Sequence, residues 1–216
     1  MKVEMQSRKS EGCGRDLQGA IPIDEVLRVM EWYDSIAPSY DGLYVNEQRK
    51  KYLVISKVLK NEYRKVLDVG CGSAEFLLFS CKVNPSNALY IGIDISFNLL
   101  TIARKKTLFL ANACSSIAEF IAGDLSALPL RKDARFDLIL LVSVLRSTYD
   151  VEAIVDYFTQ RHLDKGGAIV LTIMHESNCE VKEGNLCPKN TRLIGIVHRN
   201  EVACIVSKSR QNHQTR

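Results

Sequence analysis

Hydrophobic positions alternate between two spacings along most of the chain. Short β-branched or leucine-rich runs predict strands at residues 65–69, 89–93, 119–122, 136–142 and 168–174. Helical spacing of apolar residues lies between these runs, at residues 75–82, 97–106 and 151–162. The first and fourth runs are apolar almost throughout, as is typical of strands covered on both faces by helices. This alternation predicts a parallel sheet with right-handed crossovers.

The two ends of the chain depart from this alternation. Residues 23–33 and 46–60 each have a helical apolar face, and Pro38 is expected to end the first unit. Residues 192–198 and 202–206 are strand-like runs whose short connection leaves no room for a crossover helix, so they must form an antiparallel hairpin. The sequence therefore predicts an α/β, Rossmann-like fold: a seven-stranded, mostly parallel sheet with a C-terminal antiparallel hairpin and helices on both faces.

Length and composition favour one globular domain. The chain has 216 residues, of which 46% are hydrophobic and 25% charged, the balance of a soluble protein with a core. We assign residues 21–208 to the domain, 1–20 to a loose leader and 209–216 to a basic tail. No apolar run exceeds five residues, against roughly 20 for a bilayer crossing. Since the first residues also lack a signal-peptide core, we expect a cytoplasmic protein with no membrane contact.

The net charge of +4 is concentrated at one end, because the basic tail and Lys208 supply three of these charges. The nearly neutral body does not call for a polyanionic partner. One segment, residues 49–65, is locally basic, with the acid Glu62 and seven basic residues: Arg49, Lys50, Lys51, Lys57, Lys60, Arg64 and Lys65. It could track phosphates, although a lysine-rich helix is usually just a solvated face.

The seven cysteines show neither a C-x-x-C motif nor a Cys/His zinc spacing, so no metal site is predicted. Cys81 and Cys204 lie in apolar stretches, where a thiol behaves as a small hydrophobic group. Cys179 and Cys187 share one segment and could pair, but reduced thiols are favoured in a cytosolic protein.

A glycine loop joins the first predicted strand to the helix after it, in the sequence VLDVGCGSAE at residues 66–75. Gly70 and Gly72 let the backbone turn sharply and let a ligand approach closely. A dinucleotide site would place a third glycine where Glu75 stands, and that acid would face a pyrophosphate. Asp68 also suits a cationic ligand better than an anionic one. The loop therefore disfavours a nicotinamide dehydrogenase.

Acidic residues stand at the ends of three successive predicted strands. Asp94 follows Gly72 by 22 residues, close to the ~20 expected for a carboxylate that binds ribose hydroxyls. Its alternative role as a helix N-cap is better filled by Ser96. Asp124 ends the third strand and could accept from an adenine amine. Together with Asp68, these acids predict a nucleoside site at the ligand-binding edge of the sheet.

The segments VLDVGCGSAEF, YIGIDIS, IAGDLSALPL, RFDLILLVSVL and LDKGGAIVLTI follow one another in order. This series resembles the class I S-adenosylmethionine-dependent methyltransferases, in particular their UbiE-like branch, and the terminal hairpin matches that family's antiparallel seventh strand. The resemblance covers about residues 30–208. It implies S-adenosylmethionine as cofactor and methyl transfer to an acceptor that is a small molecule.

The same resemblance assigns roles to individual positions. Residues 33–41 are similar to the family's YD-x-x-A-x-x-YD segment, in which Tyr40 would cover the cofactor, although a packing role suits this residue equally well. The complete set of implied cofactor contacts is Tyr40, Asp68, Gly70, Cys71, Gly72, Asp94, Ile95, Asp124, Leu125 and Val142.

Departures from the family pattern leave the catalytic groups open. Val142 stands where several branches carry Asp or Asn, and Arg146-Ser147 replaces a His-His pair, which removes an obvious general base. His175 and Glu176, just past the fifth strand, are the best candidates by position, although a histidine there is more often a surface residue. Arg146 could bind a substrate carboxylate or phosphate, or be solvated.

Two alternatives remain open. Residues 92–100 and 128–137 are similar to tRNA wobble-uridine methyltransferases, which work with a small zinc-binding activator subunit; this implies an RNA or protein methyltransferase with such a partner. The substitutions at Val142 and Arg146 also allow a non-catalytic subunit that binds the cofactor or a partner.

Overall fold

The computed structural model describes residues 23–59, 63–83, 88–108, 116–175, 187–198 and 200–207. The predicted leader at 1–20 and tail at 209–216, together with Glu176 and Cys179, lie outside the described residues. The helices are α1 (Ile23–Ile36), α2 (Tyr40–Ser56), α3 (Glu75–Val83), α4 (Phe97–Leu108) and α5 (Val151–Arg161). The strands are β1 (Lys65–Val69), β2 (Leu89–Asp94), β3 (Ile117–Ala122), β4 (Phe136–Arg146), β5 (Leu163–Met174), β6 (Arg192–His198) and β7 (Glu201–Ser207).

The strands form one seven-stranded sheet in the order β3-β2-β1-β4-β5-β7-β6. Strands β1 to β5 pair in parallel, and β7 is antiparallel to both β5 and β6. The predicted Rossmann-like sheet and its C-terminal hairpin are thus confirmed. Because the first strands run in the same direction, the carboxyl ends of β1, β2, β3 and β4 share one edge.

Alternate residues of the strands feed two hydrophobic clusters on opposite faces of the sheet. One cluster packs helices α2, α3 and α4 against the sheet and includes Tyr52, Phe76 and Leu100. The other packs α5 and includes Ile154 and Phe158. Both faces of the central strands are therefore covered, as their continuous apolar runs predicted. None of the described helices is long and apolar enough to span a membrane.

The N-terminal helices differ from the prediction. Pro38 lies in a short 3-10 turn, Ala37–Ser39, and α2 begins directly after it at Tyr40 instead of at residue 46. The proline stands within the first two positions of that turn, where a backbone N–H would have no helical partner. It therefore ends α1 without preventing α2 from starting two residues later. Helices α1 and α2 can therefore stay close together over the carboxyl edge of the sheet.

The expectation of free buried thiols is wrong for both Cys81 and Cys204. Cys81 is disulfide-bonded. Cys204, on β7, forms a disulfide with Cys187, and their Cα atoms lie 5.9 Å apart, within the usual range for such a bond. Cys204 is therefore not a free buried thiol, and Cys187 does not pair with Cys179. The pairing was hidden because it depends on the position of β7 inside the sheet, which no local pattern reveals. Cys71 is a buried free thiol.

Candidate functional site

A cavity of about 820 Å³ lies between the carboxyl edge of the sheet and helices α1 and α2. Its size falls within the ~300–1,000 Å³ typical of small-molecule sites. The wall contains most of the predicted site residues: Tyr40, Gly70, Cys71, Asp94, Ile95, Asp124, Leu125, Val142 and Arg146. Asp68, Gly72 and His175 are not part of this wall. The fold thus brings together the predicted nucleoside site, but not the predicted catalytic histidine.

The glycine loop is held in a conformation that depends on its small residues. Gly70 and Gly72 have φ angles of 75° and 52°, in the region that glycine adopts readily. A Cβ on Gly70 would overlap Val144 Cγ2, and one on Gly72 would lie 3.1 Å from Tyr40 Oη. Ala74, where the family pattern has a third glycine, also has a positive φ of 61°. The backbone at Ala74 therefore has the left-handed conformation that glycine would adopt there.

Asp94 links the glycine loop to the end of β2. One oxygen of its buried carboxylate accepts from Gly72 N at 2.7 Å and the other from Ser96 N at 2.9 Å. Burial raises the pKa of Asp94 to about 6. Ser96 Oγ accepts from Leu99 N at 3.1 Å, so Ser96 caps α4 as expected. A carboxylate offers about four acceptor sites, and Asp94 therefore keeps acceptor capacity for a ligand in the cavity.

Asp68 lies behind the glycine loop. Its buried carboxylate accepts from Tyr90 Oη, and burial raises the pKa of Asp68 to about 7. The carboxyl group is therefore close to half-protonated at neutral pH. Its predicted contact with a cofactor stays a prediction, since the side chain faces Tyr90 and is absent from the cavity wall.

The end of β3 supplies the next part of the wall. Asp124 accepts from Ser126 N at 2.5 Å and also from the Ser126 hydroxyl. Leu125 and Val142 are buried and contribute apolar surface to the cavity. This combination of an acceptor and apolar side chains could hold a planar heterocycle.

Three tyrosines pack against one another, edge-on or tilted, along the helical side of the cavity. The Tyr40 ring lies 6.0 Å from that of Tyr33 and 5.0 Å from that of Tyr44, between centroids. Burial raises the pKa of both Tyr33 and Tyr40, so their hydroxyls stay protonated. Tyr40 packs over Gly72, where the resemblance placed a covering residue.

Ion pairs fasten α2 to the glycine loop. Asp41 accepts from Ser73 Oγ and pairs with Lys106 Nζ, both at 2.6 Å, and Lys106 also donates to Ser73 Oγ at 2.9 Å. Arg49 Nε lies 2.6 Å from Glu75 Oε1. Sequence reasoning used Glu75 only to exclude a pyrophosphate, and missed its role as an anchor for α2. Two features of the sequence could have indicated this ion pair: Glu75 stands where a dinucleotide site has a glycine, and the basic helix that contains Arg49 precedes it.

A cluster of polar residues, which we name the polar floor, borders the cavity and was not predicted. It consists of Glu47, Gln48, Lys51, Ser143 and Glu201. Lys51 Nζ lies 2.7 Å from Glu47, 2.5 Å from Glu201 and 2.9 Å from Ser143 Oγ. These contacts join α2, β4 and β7, which are distant in sequence, so spacing alone could not reveal them.

The same contacts change the interpretation of the basic segment at residues 49–65. Lys51 is buried and ion-paired, and Arg49 is bound to Glu75. Two of the cations that the sequence offered for tracking phosphates are thus paired with carboxylates of the protein, although the Arg49 side chain remains 47% exposed. The segment presents less positive charge to a partner than its composition indicated.

Arg146 and Tyr149 face α1 at the other side of the cavity. Tyr149 Oη donates to Glu25 Oε1 at 3.0 Å, and Arg146 Nη1 lies 3.7 Å from the same oxygen. Arg146 remains about half exposed and is part of the cavity wall. His175 pairs through its backbone with Asn200, and its Nε2 has no hydrogen-bond partner within the described part of the chain. Arg146 thus belongs to the cavity wall and His175 does not, and the proposed roles of both residues stay predictions.

Comparison with known proteins gives a consistent result. A family model described as a methyltransferase domain matches residues 60–213. The demethylmenaquinone methyltransferase of Lactococcus lactis is 32% identical over 149 residues, which cover 66% of this chain and 57% of that protein. The 2-phytyl-1,4-naphtoquinone methyltransferase of Synechococcus elongatus is 31% identical over 150 residues, covering 66% and 62%. The chain thus spans about six tenths of the length of these relatives.

Solved structures agree with the fold. The magnesium protoporphyrin IX methyltransferase from Synechocystis PCC 6803 with bound SAM superposes with a TM-score of 0.62 at 16% identity, covering 86% of this chain and 98% of that one. A chain of the complex between the Haloferax volcanii Trm112 methyltransferase activator and a methyltransferase gives a TM-score of 0.56 at 20% identity, covering 69% and 62%. At these identities the likeness concerns the fold alone.

Proposed function

Because the chain belongs to the methyltransferase-domain family, whose model matches residues 60–213, we propose that it transfers a methyl group from S-adenosylmethionine to a small-molecule acceptor. The observation that carries the proposal is the buried Asp94 carboxylate, which lies beside the glycine loop in the cavity wall. Position, burial and remaining acceptor capacity are those required to bind a ribose diol.

The residues of the wall fit the cofactor. Asp94 would accept from the ribose hydroxyls, and Asp124 with Leu125 would hold the adenine. Gly70 and Cys71 would face the methionine part, because both line the cavity at the glycine loop. When bound, S-adenosylmethionine supplies an electrophilic methyl group on a positively charged sulfonium.

The chain contributes mainly by positioning and by excluding water. Helices α1 and α2 cover the carboxyl edge of the sheet, and the Asp41–Lys106 and Arg49–Glu75 pairs hold α2 in place. Well-aligned reactants can gain ~7–11 kcal/mol from orientation alone. Among the described residues of the cavity wall none is a histidine, and a reaction driven by alignment does not require one.

An aromatic acceptor of quinone type is the best-supported class. The helical side of the cavity presents Val29, Trp32, Tyr33 and Tyr44, and aromatic side chains of this kind pack well against flat rings. One relative is named as a demethylmenaquinone methyltransferase and another as a 2-phytyl-1,4-naphtoquinone methyltransferase. An RNA acceptor has less support, because Arg49 and Lys51 are engaged internally.

Calorimetry with S-adenosylmethionine and with NAD tests the cofactor. We expect binding of the first and not of the second. Asp94→Asn removes the charge with little change in size and should weaken binding about 10- to 100-fold, since hydrogen bonds to a charged group contribute ~1.5–3 kcal/mol. Asp133→Asn, at an exposed surface pair with Arg131, is the matched control and should bind normally. Failure of the wild-type protein to bind S-adenosylmethionine would contradict the proposal.

Methyl-labelled cofactor tests the acceptor. The protein should transfer label to a demethylated naphthoquinol and not to bulk tRNA. Label appearing in tRNA or protein, only when a zinc-binding activator is added, would support the alternative class instead. Tight cofactor binding with no transfer to any of these pools would support a non-catalytic subunit.

A further inference from the structure

We infer that the polar floor is the subsite for the acceptor, and that it takes a group bearing an O–H or N–H donor on a neutral or cationic molecule while rejecting an anionic one. This rests on the proposed function, since it assigns the part of the cavity that the cofactor residues do not use. Glu47, Gln48, Lys51 and Ser143 all line the cavity.

The cation of the floor has no donor left for a ligand. Lys51 Nζ has three N–H groups, and Glu47, Glu201 and Ser143 each receive one of them. Its side chain is only 2% exposed. Although a buried lysine in a cavity would otherwise attract a carboxylate or phosphate, this one is already neutralised by protein groups.

The floor carries a net negative charge. One positive charge on Lys51 faces two carboxylates, those of Glu47 and Glu201. Although burial raises the pKa of Glu47, the hydrogen bond from Lys51 and its charge hold that pKa below its ordinary value. His198, whose Nε2 lies 3.7 Å from Glu47, is the nearest group from β6. With two carboxylates against one buried cation, the field at the floor repels anions.

Gln48 supplies an acceptor that lacks a donor. Its side chain is 8% exposed and its Nε2 donates to Ser143 Oγ at 3.2 Å. Its Oε1 is buried and has no partner among the described residues. A buried acceptor without a hydrogen bond destabilises the folded state, and such groups are rare in native proteins. A donor on a bound acceptor molecule would satisfy it after a small rotation of the amide.

Ser143 shows a second departure from relaxed structure at the same place. It has a φ of 61° within an irregular stretch of β4, and Thr172 Oγ1 accepts from its backbone N–H at 2.7 Å. Non-glycine residues in this region are strained and cluster at ligand sites. The chain thus keeps two unfavourable features side by side, both in contact with the cavity.

Three naphthalene probes of nearly equal size test this assignment: 2-naphthol, its methyl ether 2-methoxynaphthalene, and 2-naphthoate. Their dissociation constants are measured by fluorescence titration with S-adenosylhomocysteine present. We expect the wild-type protein to bind naphthol about fivefold more tightly than the ether, the value of one net hydrogen bond, and to bind naphthoate most weakly.

Two variants locate the effect. Gln48→Met removes the free acceptor and should abolish the preference for naphthol over the ether, while the unfolding temperature stays the same or rises. Glu47→Gln removes one negative charge and should improve naphthoate binding about tenfold. Leu53→Met, at an exposed position of α2, and Glu152→Gln, at a largely exposed pair on α5, are the matched controls and should leave all three constants unchanged.

The results separate the two levels of the proposal. No preference for naphthol in the wild-type protein, or an unchanged preference in Gln48→Met, would overturn the acceptor subsite. S-adenosylmethionine binding to the same variants is measured by calorimetry and should remain as in the wild type. If the wild-type protein itself does not bind S-adenosylmethionine, the proposed function is overturned.

Discussion

Replacement of Gly70 by alanine gives the most direct test of the glycine loop. Alanine at the φ of 75° costs ~1–2 kcal/mol in backbone energy. Its Cβ would also overlap Val144 Cγ2, and relieving such a clash costs ~1–3 kcal/mol. We therefore expect Gly70→Ala to lower the free energy of unfolding by about 2–5 kcal/mol.

A double-mutant cycle separates the two contributions. Val144→Ala removes the methyl group that the new Cβ would meet and costs ~1–2 kcal/mol by itself, because it deletes partly buried methyl groups. In the double variant the clash is absent but the backbone term remains. The double variant should therefore lose ~1–3 kcal/mol less free energy of unfolding than the sum of the losses in the two single variants.

Urea unfolding of the wild type, the two single variants and the double variant gives the free energies of unfolding. Gly42→Ala, on helix α2, serves as the control. A Cβ on Gly42 would have nothing within 4 Å, so Gly42→Ala should stabilise the protein by ~0.5–1 kcal/mol. Additive effects of Gly70→Ala and Val144→Ala would refute the steric reasoning. Equal destabilisation by the substitutions at Gly70 and Gly42 would refute the assignment of special backbone geometry to the loop.

Three further outcomes are expected. Burial raises the pKa of the Asp94 carboxyl from 3.8 to about 6, so the folded state binds the carboxyl proton more tightly than the unfolded state, and stability falls as pH rises between these values. Binding of S-adenosylmethionine, measured by calorimetry, should weaken below about pH 6, where Asp94 becomes protonated. Asp94→Asn should remove this pH dependence of binding. Lys106→Met breaks the link to Asp41 and should speed amide hydrogen exchange in α2, whereas unchanged exchange would show that the ion pair does not hold the helix. Peptide mapping without reductant should recover Cys187 joined to Cys204, and replacing both by serine should lower stability by ~2–4 kcal/mol; two free thiols in the native protein would contradict the bond.

Local periodicity predicted the sheet because each strand is a short β-branched or leucine-rich run that can be recognised from a few consecutive residues. Strand β1 was predicted with its observed bounds, Lys65–Val69, and the hairpin of β6 and β7 followed from the short connection between them. Helix α2 was predicted to begin too late, because the residues around Tyr40 carry functional side chains and so lack a clear apolar face. A proline before them also looked like a terminator.

The convergence of the acidic residues was predictable for a similar reason. Asp94 and Asp124 stand at strand ends, and parallel strands bring such ends together. The polar floor was not predictable, since Lys51 and Glu201 are separated by most of the chain and meet only after β7 enters the sheet. The catalytic role of His175 stays a prediction: it relied on position past a strand end alone, and the structure bonds the backbone of His175 to Asn200.

The placement of β7 between β5 and β6 has a consequence for how the protein is made. Strand β6 pairs only with β7, and Glu201 on β7 is the counterion of the buried Lys51. A chain that stops before residue 201 would leave an edge strand without its neighbour and would leave Glu47 as the remaining counterion of a buried lysine. An incomplete product would thus expose unpaired strand edges, which makes it a target for proteolysis and aggregation.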